Sequence, residues 1–128
     1  MTMRRCVVML VAALCLPAAD AAAQIPTTFT NLQVLPKDIP ANQLIPAMRD
    51  FSIALGVRCN HCHVGENTAT LEGFDFAADT KPAKSMARDM MRMTADLNDR
   101  LSTRMSRPTT TKVQCITCHR GVPIPAIK

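Results

Sequence analysis

Cys59-Asn60-His61-Cys62-His63 and Cys115-Ile116-Thr117-Cys118-His119 are two copies of one pentapeptide, C-x-x-C-H. In each copy two thiols can add to the two vinyl groups of one porphyrin, and the histidine that follows presents an imidazole to the iron. The pair therefore predicts two covalently bound haem c groups, attached through Cys59, Cys62, Cys115 and Cys118, with His63 and His119 as proximal ligands.

Zinc is the chief rival, because the same four cysteines also spell C-x-x-C…C-x-x-C, a possible four-thiolate set. The 52 residues between Cys62 and Cys115 far exceed the roughly 15 to 20 of a compact zinc ribbon. Zinc also gives no reason for a histidine directly after each pair. A framework of two disulfides is the third reading of these thiols. His61, between the two thiols of the first motif, is read as facing solvent or a propionate rather than its own iron.

The first residues are read as an export signal. Met1 to Arg5 is a short basic start, Cys6 to Leu16 is an apolar run too short to span a bilayer, and Ala21-Ala22-Ala23 is a small-residue cleavage site. The mature chain then begins at Gln24, in the periplasm, where it can associate with the outer face of the inner membrane. Leu14, just ahead of Cys15, is too large for a lipoprotein signal of the usual kind.

Beyond that segment the chain has enough length for one domain and a modest core. It contains no Trp or Tyr, and its aromatic residues are Phe29, Phe51, Phe74 and Phe76. Two porphyrins would supply the flat apolar bulk that such a core lacks. From Gln24 onward there are 13 basic and 9 acidic side chains, and ionised propionates would bring the loaded protein near neutrality. The basic balance is thus no argument for a nucleic-acid partner, and no basic-aromatic interleaving is present.

Organisation follows from periodicity. Residues 1–23 are the signal peptide, 24–40 an extended Pro- and Thr-rich arm, and 41–125 the dihaem domain. Asn42 is the expected N-cap of a helix ending at Leu55 with Gly56 as its stop, and Leu44, Met48, Phe51 and Leu55 make its apolar stripe. In that register Pro46 lacks an N–H that needs no intrahelical partner. Val64 to Thr80 is loop-like and purely acidic. A second helix is expected from a Thr80 cap, with Pro82 in its first turn, to about Leu101. Its stripe is Met86, Met90, Met93, Leu97 and Leu101, and Lys84, Arg88, Asp89, Arg92, Asp96 and Arg100 form a solvated face. Ser102 to Thr111 is a loop, and a short helix over the second motif stops at Gly121. The fold class is mostly α: a small multihaem cytochrome c of two helix–loop–C-x-x-C-H units in tandem.

Three histidines serve two irons and His61 is set aside, so the second axial ligands are expected to be methionines. Met48 is the candidate for the first site. For the second, spacing leaves Met86, Met90 and Met93 open, since all lie on one face and methionines on such a face are commonly core filling; Met91 points about 100° away. The stretch Lys81 to Arg107 has net charge +4 and Val64 to Thr80 has −4. On different faces they would form a dipole that orients a charged partner, and side by side they would cancel.

Asn31-Leu32-Gln33-Val34-Leu35-Pro36, Met48-Arg49 through Ala54-Leu55-Gly56-Val57-Arg58-Cys59, Phe74-Asp75-Phe76-Ala77, Ala87-Arg88-Asp89-Met90-Met91-Arg92-Met93 and Cys115-Ile116-Thr117-Cys118-His119-Arg120-Gly121 carry a resemblance. Together they resemble the haem-binding unit of the photosynthetic reaction-centre cytochrome c subunit family, over about Asn31 to Pro125. The resemblance implies electron transfer, and puts Met48 on the first iron and Met90 on the second. It implies as partners redox proteins such as a membrane-bound reaction centre or respiratory complex. No small-molecule substrate is expected. The subunit proper has four haems in two pairs, whereas this chain has one pair. The other class of function is a haem enzyme or gas sensor, of peroxidase or nitric-oxide-binding type, which requires one open iron.

Overall fold

A computed structural model describes residues 26–105 and 112–126. The expected signal segment lies outside them, as do residues 106–111 of the expected loop. Helix α1 spans Ala41–Leu55, α2 spans Pro82–Thr103 and α3 spans Cys115–His119, with a 3-10 turn at Cys59–His61. The predicted class, mostly α, is what the described residues show. Their only extended pairing is an isolated antiparallel bridge between Val64 and Asp75.

The helix starts differ from expectation by one residue or two. Pro40, not Asn42, caps α1, and its carbonyl accepts from Gln43 and Leu44 at 2.9 and 3.0 Å. Pro46 is consequently the sixth helical residue, and the N–H it lacks would have met the Asn42 carbonyl, so one intrahelical bond is missing there. The helix continues because the expected stripe holds: Leu44 is buried, and Met48, Phe51 and Leu55 are half-buried. Lys81, not Thr80, caps α2, which places Pro82 at the first helical position, where its fixed φ suits the turn and no N–H is needed. The left-handed stop of α3 is Arg120, φ 50°, one residue before the expected Gly121.

Gly56 ends α1 in the left-handed conformation, φ 65°, and there the two motif-bearing units meet. The Gly121 N–H donates to the Ala54 carbonyl at 2.9 Å. A Cβ on Gly56 would stand 2.0 Å from the Gly121 carbonyl oxygen, so only glycine allows this approach. Asn98 of α2 ties in the second unit from the other side. Its side-chain amide donates to the Val113 carbonyl at 2.9 Å and accepts from the Val113 N–H at 2.7 Å. Asn98→Ala removes both bonds and is expected to cost about 2 kcal/mol, read as a lower denaturant midpoint of the holoprotein at unchanged slope.

Side chains alone make almost no core. Among the described residues the buried apolar ones are Leu44, 6% exposed, and Ala54, 4% exposed. The α2 stripe expected from periodicity is only partly inward: Met90 and Leu101 are half-buried, whereas Met86 is 58%, Met93 55% and Leu97 41% exposed. The inward row is Lys84, Ala87, Met91, Thr94 and Asn98, at helical steps of three and four.

Candidate haem site

Helices α1 and α2, the first motif and residues 30–35 of the arm enclose one cavity of about 290 Å³. Met48, Met90, His63 and His119 all line it, with Cys59, Cys62 and Cys115. Cys118, on the exposed side of α3, lies outside that lining. Leu32, Val34, Leu35, Phe51, Leu55 and Phe76 give it apolar walls. The chain thus brings together seven of the eight expected site residues, and does so around apolar space.

Each histidine is held by its own local chain. The backbone N–H of His63 donates to the Cys59 carbonyl at 2.9 Å, and the ring meets Phe76 edge-on with centroids 5.2 Å apart. Phe76 is stacked on Phe74 at 5.4 Å, and the bridge from Asp75 N–H to the Val64 carbonyl, 2.8 Å, fixes both phenyl rings. Gly65 admits Phe74, since a Cβ there would lie 2.3 Å from that ring. The imidazole of His63 is pushed below its ordinary pKa, first by burial, then by the Lys84 cation, against a weaker pull from the Phe76 backbone. Its Nδ1 is buried, and no protein group meets it in good hydrogen-bond geometry. His119 differs: its Nδ1 lies 3.1 Å from the Val122 carbonyl. A carbonyl can only accept, so Nδ1 carries the proton and Nε2 keeps a free lone pair for a metal.

The donors fit haem and do not fit zinc. Burial raises the thiols of Cys62 and Cys115 above their ordinary range. Among the described residues no three His, Cys, Asp or Glu side chains gather as a metal cluster, and the four motif cysteines are free thiols. What the site offers instead is paired thiols, imidazoles and thioethers around an apolar cavity, the donor set of a c-type haem.

Two methionines share a local device that sequence spacing did not single out. The Ser52 hydroxyl donates to the Met48 carbonyl at 3.1 Å, and the Thr94 hydroxyl donates to the Met90 carbonyl at 2.7 Å. In each case the hydroxyl is four residues on, a bond that tends to bend a helix slightly. No other α2 methionine has a Ser or Thr at that offset. Met86 and Met91 also line the cavity, whereas Met93 does not. His61 is exposed at the rim.

The charge pattern of α2 needs correcting. Lys84 and Arg88, expected on a solvated face, point inward: Lys84 is 8% exposed and the Arg88 side chain 12%. Both contact Asp79, at 3.0 and 2.9 Å, so the acidic loop and the basic helix lie side by side here and partly cancel. Arg88 also donates to the Asn31 carbonyl, and Gln33 to Asp79, which straps the arm across the cavity. Asp79 is held well below the usual carboxylate range, first by Arg88, then by Asn31 and Lys84. A lowered folded-state pKa gives stability that is present above the unfolded value, about 3.9, and is lost as pH falls below it. Asp79→Asn is therefore expected to unfold more easily than the wild-type holoprotein at pH 7, with the difference shrinking below about pH 4. Denaturant titrations at the two pH values check this.

Residues 8–127 match the family described as the photosynthetic reaction centre cytochrome C subunit. The chain is 36% identical over 101 residues to cytochrome c-554 of Chloroflexus aurantiacus, covering 78% of this chain and 22% of that protein. It is 30% identical over 113 residues to the photosynthetic reaction center cytochrome c subunit of Thermochromatium tepidum, covering 86% and 25%. With the subunit of Rubrivivax gelatinosus it shares 37% over 84 residues, 58% of this chain and 21% of that one. The chain thus spans about a quarter or less of the length of these relatives. Paired thiols with a following histidine, an apolar cavity and a match along nearly the whole sequence lead to one conclusion: the chain belongs to the photosynthetic reaction-centre cytochrome c subunit family, whose work is electron transfer through covalently bound haem.

Proposed function

We propose that this chain is a periplasmic dihaem c-type cytochrome that passes electrons one at a time between redox proteins. The observation that carries the reading is that Met48, Met90, His63 and His119 line one and the same cavity while the described residues make almost no side-chain core of their own. Cys59 and Cys62 would anchor the first haem and Cys115 and Cys118 the second. His63 and Met48 would serve the first iron, His119 and Met90 the second. The hydroxyl bond common to Met48 and Met90 supports choosing Met90 over Met86 and Met93.

When bound, haem c supplies the Fe(III)/Fe(II) couple. The chain's own part is to hold ring and sulfur donors at fixed positions, to exclude water with Leu32, Val34, Phe51 and Phe76, and to keep the geometry alike in both oxidation states. Donors that do not rearrange make electron transfer fast. The partners would be redox proteins, among them a membrane-bound reaction centre or respiratory complex. The basic, then apolar, then small-residue start of the chain supports export to the periplasm.

Carbon monoxide tests the reading. With both irons closed by methionine, the ferrous holoprotein is expected to bind none at either site. Ready binding by the wild type would favour an open-iron enzyme or sensor.

A further inference from the structure

Among the described residues three helical hydroxyls donate to the carbonyl four residues before them. Thr103 does so to Asp99 at 2.8 Å, in the exposed last turn of α2. The other two are half-buried and lie inside their helices: Ser52 to Met48 at 3.1 Å and Thr94 to Met90 at 2.7 Å. In both, the hydroxyl shares the carbonyl that helix geometry already assigns to its own N–H, so the methionine and the residue one turn on are tied twice. Such a bond bends a helix and slightly weakens it, so helix stability is not what it serves. Aim is the better account. A methionine has three rotatable bonds and adapts to whatever surrounds it, whereas a ligand atom has to be held to about 0.5 Å. Packing alone does not supply that hold here. Helix α1 is loosened at Pro46, just before Met48, and the stripe neighbours of Met90, Met86 and Met93, are more than half exposed.

We propose that the Ser52 and Thr94 hydroxyls are positioning groups, one for each site, that aim the Met48 and Met90 sulfurs at their irons and so keep both sites closed to outside ligands. This rests on the two-haem, methionine-ligated reading above. Each hydroxyl has committed its proton to a backbone carbonyl, so it donates nothing to the thioether, and the sulfur lone pair stays available. Without the hydroxyl the turn keeps its ordinary N–H bond, but the bend that aims the sulfur relaxes. The sulfur is then exchanged more easily for another donor.

Added imidazole tests this, because its nitrogen takes the place of the sulfur on ferric iron and the weak long-wavelength sulfur-to-iron(III) absorption band disappears. In holoprotein carrying Met90→Ala the band reports Met48 alone, and in Met48→Ala it reports Met90 alone. Adding Ser52→Ala to the first and Thr94→Val to the second is expected to raise imidazole affinity about two- to tenfold, a change of the size that one hydrogen bond carries. Ser52→Thr and Thr94→Ser, which keep the hydroxyl, should hold the parent affinity. Thr103→Val removes the same kind of bond from the same helix, away from the ligand, and should leave the affinity unchanged; that contrast separates aim from a general loosening of α2. The proposal is overturned if Thr94→Val changes the affinity no more than Thr103→Val does, if Ser52→Ala leaves it unchanged, or if the hydroxyl-keeping variants behave like the hydroxyl-free ones. Should a double variant fail to yield folded holoprotein, Ser52→Ala and Thr94→Val decide in the otherwise wild-type chain. Partial loss of the band, at an imidazole concentration that the wild type withstands, supports the proposal, and an intact band overturns it. A wild-type holoprotein with no such band, seen before any imidazole is added, would instead overturn the methionine ligation beneath, and the proposal with it.

Discussion

Met48→Ala and Met90→Ala are each expected to open one iron to carbon monoxide, giving one equivalent bound per ferrous protein where the wild type binds none. Alanine cannot reach the metal, and loss of a thioether donor that favours Fe(II) should lower the midpoint potential of that site. The two sites have separate ligands, on α1 and α2, so the double variant should show nearly the sum of the single effects. Met86 lines the same cavity but has no hydroxyl bonded to its carbonyl, and Met93 is turned outward. Met86→Ala and Met93→Ala should leave both irons closed. An open site produced by either of them, with Met90→Ala silent, would move the second ligand along α2 while leaving the haem reading intact.

Gly56→Ala is expected to be the most damaging single-methyl change in the fold. A left-handed φ of 65° costs an alanine about 1–2 kcal/mol, and a Cβ 2.0 Å from the Gly121 oxygen forces α1 and the second unit apart, at about 1–3 kcal/mol more. Gly73 supplies the control. It has a similar φ of 72° with nothing within 4 Å of its Cβ position, so Gly73→Ala should show the backbone cost alone, about 1–2 kcal/mol. Denaturant midpoints of the two holoproteins compare them. Equal losses would mean that the contact between the end of α1 and the Gly121 backbone does not bear on stability.

The sequence revealed most where chemistry and chain geometry point the same way. The two pentapeptides, the stripe of α1, Gly56 as its stop and Pro82 in the first turn of α2 were all legible, because each depends on residues close in sequence. The inward face of α2 was not. Met86, Met90, Met93 and Leu97 are apolar at helical spacing, but periodicity cannot tell a face that meets protein from one that meets solvent or a cofactor. The sequence alone puts Lys84 and Arg88 on a solvated face, because a lysine is rarely buried without partners. Its partners are three backbone carbonyls and Asp79 from the loop before α2, and no side-chain pattern announces carbonyls. The arm's role escaped for a related reason, since Asn31 and Gln33 reach Ala77 and Asp79, 46 residues away. The Ser52 and Thr94 bonds did have a sequence signal, a hydroxyl four residues after each ligand candidate, visible once the two units are aligned on their methionines.

Intact-mass measurement after acid-acetone extraction, on protein matured by a cytochrome c assembly system, tests most directly whether this chain is built around two covalent haems. The expected result is the polypeptide plus two haem masses, falling to one haem when Cys59 and Cys62 are both replaced by serine, and likewise for Cys115 and Cys118. A wild-type mass with a single haem, or with none, would contradict it.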